Sequence, residues 1–250
     1  MNHKTEYFAD RVRRGDLLVG TLVTMNSLEV AEMLSQCGFD WLFIDAEHGP
    51  FDPHDAQRLL QVARCPCLIR VPAHDEVWIK KALDIGPAGI IVPQVNTAAQ
   101  AHRIVEMCRF PPAGTRGMGL ARAQTYGMDP EYLATSAQRT AVVLQAEHRD
   151  ALEELDSIIS VEGVDAILVG PWDLSASFGK PGQIGDAEVT AAIAAIGSTC
   201  REAGMTAGIF AIDGDQARGF IDQGFTLVAA GVDSLHLLGG ARSLLAALGR

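Results

Sequence analysis

Two carboxylates follow two predicted strands and could hold a divalent cation between them. Glu147 follows the apolar segment 141–146, and Asp173 comes shortly after the apolar segment 166–169. If these segments are neighbouring parallel strands, both carboxylates lie at one sheet edge, where their charges repel unless a cation lies between them. Oxygen ligands favour Mg2+ or Mn2+, with Co2+ as a further option, and such ions keep positions for water and substrate.

These carboxylates have two other interpretations. A pair of acidic side chains is also the catalytic pair of glycoside hydrolysis. Such sites usually add several aromatic platforms, and only Trp172 is near this one. Asp173 or Ser175 could instead cap a helix N-terminus. We favour the metal interpretation, in which Glu147 and Asp173 are the protein ligands.

A second group of polar residues follows the second and third predicted strands. Asp45 and His48 are three residues apart, and a histidine oriented by an aspartate is a typical general base. Arg70 lies at the third strand, and its guanidinium fork suits a carboxylate or an enolate oxygen. A surface-loop histidine, and an Arg70 ion pair with Asp45 or Asp84, are the structural alternatives for this group.

Further residues complete the candidate site. Gln145 lies two residues before Glu147, so both side chains lean to the same side of their strand, and Gln145 is a candidate substrate contact. Asp84 and Glu47 are candidates for supporting the ligands from behind. No lysine ends a predicted strand, so a Schiff-base mechanism is not expected. The lysines are Lys4, Lys80, Lys81 and Lys180.

Eight short apolar segments, each followed by a helical segment, position these residues. This alternation predicts a parallel sheet covered by helices, and eight units predict a (β/α)8 TIM barrel that forms a single domain over residues 1–250. An open doubly wound sheet is the alternative, but no Gly-x-Gly-x-x-Gly motif follows the first strand, and no nucleotide cofactor is expected. Residues 4–14 are predicted to be a leading helix. The aperiodic segment 110–138 is predicted to be a long functional loop.

Arg116 lies in that predicted loop. Phosphate contact, substrate contact and anchoring of the loop are equal alternatives for its side chain, and we retain it as a candidate substrate-binding residue. In a barrel, chemistry belongs to the carboxyl ends of the strands. The strand-end residues described above are therefore expected to meet at one mouth.

The composition narrows the range of partners. The 250 residues carry a formal charge of −11 at pH 7, which argues against a nucleic acid or an anionic membrane as partner. The N-terminal segment has no apolar core typical of a signal peptide, and no apolar run is long enough to span a bilayer. Five cysteines, scattered through apolar surroundings, are typical of a reduced cytoplasmic protein.

Five motifs, spread across nearly the whole chain and occurring in the same order, resemble the HpcH/HpaI aldolases. These are the class II, metal-dependent pyruvate aldolases, and they include 4-hydroxy-2-oxoheptanedioate aldolase. The motifs are Phe43-Ile-Asp-Ala-Glu-His-Gly49, Arg70-Val-Pro72, Pro111-Pro-Ala-Gly-Thr-Arg-Gly117, Gln145-x-Glu147 and Gly170-Pro-Trp-Asp-Leu-Ser175.

The resemblance implies a function for the strand-end residues. It implies a (β/α)8 barrel with a divalent ion on Glu147 and Asp173, a base dyad of His48 with Asp45, and Arg70 on the oxo and enolate oxygen of the substrate. The reaction would be reversible aldol cleavage between a 2-oxoacid, of the pyruvate or hydroxypyruvate type, and an aldehyde. Backbone N–H groups around Pro171, Trp172 and Asp173 would receive the 2-oxoacid carboxylate.

The resemblance also implies an assembly. Members of the family are typically hexamers built as trimers of dimers, with the last helix exchanged between subunits, and residues 235–248 are apolar enough for that purpose. Two departures affect the pocket. Trp172 stands where a small residue is common, and His148 replaces a smaller polar residue. The identity of the aldehyde therefore does not follow from the resemblance.

Three alternatives to aldol cleavage stay open at this point. The same enolate could arise by decarboxylation of oxaloacetate, or the substrate could be a CoA thioester, as in the related malyl-CoA and citryl-CoA lyases. A short chain without a basic nucleotide groove counts against CoA. The third alternative is a metabolite-binding barrel that has lost catalysis. Such a barrel would not need both Asp45 and His48.

Overall fold

The structure, a computed structural model that describes residues 6–250, is a closed barrel of eight parallel strands hydrogen-bonded in chain order. The strands are β1 Leu18–Val23, β2 Trp41–Asp45, β3 Cys67–Arg70, β4 Gly89–Val92, β5 Ala141–Ala146, β6 Ala166–Val169, β7 Thr206–Ala211 and β8 Leu227–Val232. The predicted (β/α)8 TIM barrel is therefore confirmed.

Helices connect the strands and cover the outside of the barrel. They are α1 Phe8–Arg13, α2 Leu28–Leu34, α3 Pro53–Val62, α4 Glu76–Asp84, α5 Ala98–Cys108, α6 Tyr132–Arg139, α7 Arg149–Glu153, α8 Leu155–Ile159, α9 Pro171–Ser177, α10 Ala187–Glu202, α11 Gly214–Asp222 and α12 Asp233–Ala247. Within residues 6–250, none of these helices has the length and apolarity needed to cross a bilayer.

Buried apolar side chains form two layers, because each strand presents one face to the barrel axis and the other to the helices. The inner layer includes Trp41, Phe43 and Leu168, and a larger layer lies between strands and helices. The indole of Trp41 lies against Gly20, where an added Cβ would come within 2.5 Å of the ring. Glycine at that position therefore lets a large side chain fill the barrel interior.

Two predicted segments differ from the structure. The leading helix is shorter than the predicted 4–14, and residues 4 and 5 lie outside the described residues. The segment 110–138 is not irregular throughout, because it contains a 3-10 helix, Arg122–Gly127, and most of α6. The helical signal of α6 is weak because it buries only Tyr132 and Ser136.

The position of that segment also differs from the expectation of a functional loop. The segment connects α5 to β5. Because barrel helices run antiparallel to their strands, such a connection lies at the amino ends of the strands. The mouth of the barrel, where chemistry is expected, is at the opposite end. The long segment therefore belongs to the base of the barrel.

Candidate active site

Arg70 and Asp45 form a buried, two-pronged ion pair at the mouth. They are register partners on β3 and β2. Arg70 Nε donates to Asp45 Oδ1 at 2.8 Å, and Nη2 donates to Oδ2 at 2.6 Å. Burial lowers the pKa of Arg70, but the hydrogen bonds and charge of Asp45 outweigh it and raise the pKa above its ordinary value. The guanidinium is therefore a fixed cation at the mouth.

The predicted side-chain pair between Asp45 and His48 is absent from the structure. Asp45 Oδ1 accepts from the backbone N–H of His48 at 3.3 Å and from that of Glu47 at 3.2 Å, while Arg70 holds both carboxylate oxygens. The imidazole is 65% exposed, and the carboxylate of Glu47 lies 3.7 Å from its Nε2. The pairing was wrong because Arg70 is the stronger competitor for Asp45. His48 as the base stays a prediction.

Glu147 is buried just after β5 and is held by two donors. The backbone N–H of Gln94 donates to Oε1 at 2.8 Å, and the side-chain amide of Gln145 donates to Oε2. The oxygen of the same Gln145 amide accepts from Arg70 Nη1 at 3.4 Å. Arg70 Nη1 also lies 3.1 Å from Glu47 Oε2. One connected polar network therefore joins β2, β3 and β5.

Gln94 is the contributor to this network that the sequence did not predict. Its φ of 55° is in the left-handed region, which is uncommon for a residue other than glycine. This conformation aims its N–H at Glu147. Because the contact uses only the backbone, no residue type at position 94 could have signalled it. The carbonyl oxygen of the preceding residue, Pro93, lies 2.5 Å from His74 Nε2. This contact also helps to hold the turn.

The electrostatics around Glu147 favour a bound cation. Burial, helped by the charges of Asp173 and Glu47, raises the pKa of Glu147 to about 8, although the Gln94 hydrogen bond and the charge of Arg70 oppose the shift. Burial also raises the pKa of Glu47, although Arg70 opposes the shift. Three carboxylates with mutually unfavourable charges are a set of hard oxygen donors, which suits Mg2+ or Mn2+.

Gly170 provides the room that the Glu147 carboxylate occupies. A Cβ added at this position would overlap Glu147 Oε2 and would come within 2.7 Å of Gln145 Nε2. Gly170 directly precedes α9, whose first turn carries Asp173. The bare Cα therefore leaves room for the Glu147 carboxylate beside the first turn of α9, and the charge of Asp173 is close enough to raise the pKa of Glu147. This geometry fits a cation shared by the two carboxylates, and a substitution at Gly170 tests it.

The substitution Gly170→Ala is expected to weaken Mn2+ binding by about 10- to 100-fold, the range typical for residues that orient metal ligands. The added methyl group would displace Glu147 without removing any donor atom. Manganese titration followed by electron paramagnetic resonance measures the change. Gly219→Ala on α11 is the matched control, because a Cβ there meets no atom within 4 Å. Equal affinities of the two variants would contradict this arrangement.

The predicted strand-end residues line one cavity of about 340 Å3. It lies at the mouth, and among its lining side chains are Asp45, His48, Arg70, Gln145 and Asp173. Pro171 and Trp172 contribute from the first turn of α9. Glu147 supports this surface from behind through its hydrogen bond with Gln145. These strand ends therefore meet at one mouth, and the roles of their residues stay predictions.

Arg116 and Asp84 do not belong to this cavity. Arg116 Nη2 donates to Asp84 Oδ1 at 2.9 Å, and Nη1 donates to the hydroxyl of Tyr132 at 3.3 Å. The guanidinium also lies 4.5 Å from the ring centroid of Phe110. Within this subunit, Asp84 and Arg116 anchor the segment between α5 and β5, which is the third alternative considered for Arg116. Substrate contact by Arg116 and ligand support by Asp84 stay predictions.

Helix capping accounts for two other groups of polar residues. His148 caps α7, because its Nδ1 accepts the N–H of Asp150 at 3.2 Å. Asp52, His54 and Asp55 carry potential ligand atoms within 4.8 Å of one another. However, Asp52 and Asp55 already form the capping box of α3 and are solvent-accessible. Helix capping therefore accounts for the acidic pair in this cluster.

Comparisons with known proteins agree with this geometry. The family model described as HpcH/HpaI aldolase/citrate lyase matches residues 19–239. The chain is 38% identical over 244 residues to a 4-hydroxy-2-oxovalerate aldolase of Rhodococcus jostii (strain RHA1), covering 96% of this chain and 94% of the relative. It is 40% identical over 242 residues to a hydroxypyruvate/pyruvate aldolase of Pseudomonas aeruginosa, covering 95% and 90%.

A solved structure of the same family is also similar to this chain over nearly its whole length. The crystal structure of an HpcH/HpaI aldolase/citrate lyase family protein from Burkholderia cenocepacia J2315 superposes with a TM-score of 0.93 at 34% identity. The superposition covers 97% of this chain and 98% of that chain. The similarity therefore extends over the whole barrel and includes the strand ends that form the cavity.

Proposed function

The chain belongs to the HpcH/HpaI aldolase/citrate lyase family, and we propose that it is a divalent-metal-dependent aldolase. The enzyme catalyses reversible aldol cleavage that yields a 2-oxoacid of the pyruvate or hydroxypyruvate type and an aldehyde. The observation that carries the proposal is the network of Arg70, Gln145 and Glu147 beside one mouth cavity. A non-catalytic metabolite-binding barrel would keep the metal carboxylates but would not need His48 and Asp45, both of which line the cavity.

Glu147 and Asp173 would hold the ion, and the raised pKa of Glu147 is the observation that supports this assignment. When bound, Mg2+ or Mn2+ supplies Lewis-acid polarisation of the 2-oxo group. Gln94 and Gln145 hold the Glu147 carboxylate with its two oxygens occupied from fixed directions. Such fixed donors reduce the reorganisation needed when charge develops in the reaction.

Arg70 supports the reaction by stabilising charge on the former 2-oxo oxygen. Its Nε and Nη2 atoms are used by Asp45, so the Nη1 side of the fork is the part that faces Gln145 and Glu47. A guanidinium held in this way donates to an enolate oxygen without first having to find its orientation. Gln145 and the first turn of α9 would orient the carboxylate of the 2-oxoacid.

His48 is the proposed base that moves the proton at C3 of the 2-oxoacid. The imidazole lines the mouth cavity and is solvent-accessible, which allows proton exchange with water. Glu47, rather than Asp45, is the carboxylate near its ring. Asp45 contributes indirectly, because it accepts the His48 backbone N–H and holds Arg70. A positioned proton carrier of this type is typically worth about 10²–10⁴ in rate.

We further propose that the enzyme assembles as a hexamer, a trimer of dimers in which α12 is exchanged. Supporting this, α12 exposes large apolar side chains that a lone subunit would leave in water. These side chains, together with one just after the helix, are Leu235, Leu237, Leu238, Leu244, Leu245 and Leu248. Size measurement by light scattering tests the assembly, and a monomer at micromolar concentration would contradict it.

The aldolase proposal is tested by proton exchange at C3 of pyruvate in the absence of aldehyde. In D2O with Mn2+, the protein is expected to exchange the methyl protons, as followed by proton NMR. Removing the ion with a chelator should slow the exchange by more than about 100-fold, because several kcal/mol of charge stabilisation is lost. Added Mn2+ or Mg2+ should restore it. Exchange that persists after complete chelation, or borohydride trapping of pyruvate on a lysine, would contradict the proposal.

A further inference from the structure

The mouth cavity has a polar side and an apolar side. The polar side is formed by β2, β3 and β5, which contribute Asp45, Arg70 and Gln145 beside one apolar side chain, Phe43 of β2. The opposite side is formed by β6, β7 and β1, whose lining side chains are all apolar: Leu168 and Val169, Phe210, and Leu22. The two substrates of an aldol reaction therefore meet surfaces of different chemistry.

Trp172 extends the apolar side outward. Its ring centroid lies 5.7 Å from that of Phe210, with the two rings tilted by 56°. The indole is 40% exposed although it lines the cavity, so one part packs on Phe210 and another part is free for contact. Trp172 is also the immediate neighbour of Asp173. The aromatic pair therefore lies beside Asp173, one of the two proposed metal ligands.

The charges of the mouth decide which substrate uses which side. A 2-oxoacid has a carboxylate and an oxo oxygen, and Arg70 is the cationic side chain among those that line the cavity in the described chain, apart from His48 when it is protonated. The 2-oxoacid is therefore expected on the polar side, with its C3 toward the apolar side. An aldehyde must approach that carbon past Trp172 and Phe210.

We infer that the aldehyde acceptor is apolar, either aromatic or branched aliphatic, and that Trp172 with Phe210 selects it. This inference rests on the proposed aldolase function. Hydroxyl groups of a sugar aldehyde would lose water on the apolar side without finding a hydrogen-bond partner there. A carboxylate or phosphate on the acceptor would find no cationic side chain among the described residues that line the apolar side.

Acceptor competition tests the inference. With pyruvate and Mn2+ held constant, kcat/KM is measured for benzaldehyde, for glyceraldehyde and for succinic semialdehyde, as apolar, hydroxylated and anionic probes. The wild-type protein is expected to prefer benzaldehyde by about tenfold or more, since one methylene in an apolar pocket already changes kcat/KM by about 10- to 200-fold. Because every acceptor meets the same donor, the ratio cancels effects on the donor step.

Two substitutions locate the selectivity in the aromatic pair. Trp172→Ala is expected to reduce the benzaldehyde-to-glyceraldehyde ratio by about tenfold or more, mainly through KM for benzaldehyde. Trp172→Phe keeps an aromatic surface and is expected to retain most of the ratio. Phe210→Leu provides a second variant, with an intermediate loss, in case Trp172→Ala does not fold.

Each outcome separates the inference from the function on which it rests. If the wild-type protein exchanges the protons of pyruvate but prefers glyceraldehyde or succinic semialdehyde, the apolar acceptor is excluded while the aldolase function stands. An unchanged ratio in both Trp172→Ala and Phe210→Leu excludes selection by the aromatic pair. Failure of proton exchange in the wild-type protein, by contrast, overturns the proposed function itself.

Discussion

Replacing Arg70 by lysine is expected to lower kcat for aldol cleavage by about 10²–10³, the usual effect of losing one donor to a developing oxyanion. Lysine keeps the positive charge but not the planar fork. One ammonium cannot hold both oxygens of Asp45 and also reach Gln145, as the guanidinium does. Steady-state kinetics at saturating Mn2+ measure the effect, which should be larger in kcat than in KM.

A second Arg–Asp pair supplies the matched control for this substitution. Arg13 Nε donates to Asp165 Oδ1 at 2.6 Å, and its Nη2 lies 3.4 Å from Oδ2. Asp165 directly precedes β6, so this pair lies at the base of the barrel. Arg13→Lys therefore loses a similar fork far from the mouth and is expected to reduce stability while leaving kcat within about twofold of wild type. A comparable loss of kcat in both variants would show that Arg70 acts only through stability.

The fold was predictable because its signal is repeated in every unit of the chain. Each barrel strand is buried on both faces, so it appears in the sequence as a short, uniformly apolar run. The strand β6 was predicted with the bounds that the structure shows, Ala166–Val169. The helix α6 lacked an equally strong signal, because few of its residues are buried. Burial therefore decides which elements can be predicted from sequence.

The positions of the site residues were predictable, but their pairings were not. Topology alone brings the carboxyl ends of β2, β3 and β5 to one mouth, so Asp45, Arg70 and Gln145 had to be near one another. Whether Asp45 would bind Arg70 or the ring of His48 depends on the register between β2 and β3. The structure pairs Asp45 with Arg70 in that register, and this ion pair was the structural alternative in the sequence.

Arg116 shows the opposite limit of sequence reasoning. Its motif, rich in proline and glycine, resembles a substrate loop. However, the end of the barrel at which the motif lies depends on whether the segment follows a strand or a helix. The segment follows α5, and this places Arg116 beside Asp84 at the base. The end of the barrel at which a motif lies within the subunit is therefore known only once the topology is known.

The metal assignment leads to the prediction with the largest effect on binding. Glu147→Gln and Asp173→Asn are each expected to weaken Mn2+ binding by more than about 100-fold, beyond the about 10- to 100-fold that residues supporting a ligand contribute. Each substitution keeps the size of the side chain and removes one anionic donor. At a Mn2+ concentration of about 100 Kd, the ion should stabilise the wild-type protein by about 2.7 kcal/mol. This corresponds to about 5–10 °C in Tm for a protein of this length.

The Mn2+-induced rise in Tm is expected to disappear in both variants and to persist in Glu153→Gln, an exposed control on α7. This readout does not depend on activity, so it separates loss of the ion from loss of any other catalytic group. It also separates the mouth from the Asp52, His54 and Asp55 cluster. If that cluster were the cation site, Asp52→Asn would abolish the rise in Tm, whereas Glu147→Gln and Asp173→Asn would leave it intact. That result would remove the metal from the mouth and, with it, the reason for three carboxylates to face one another beside Arg70.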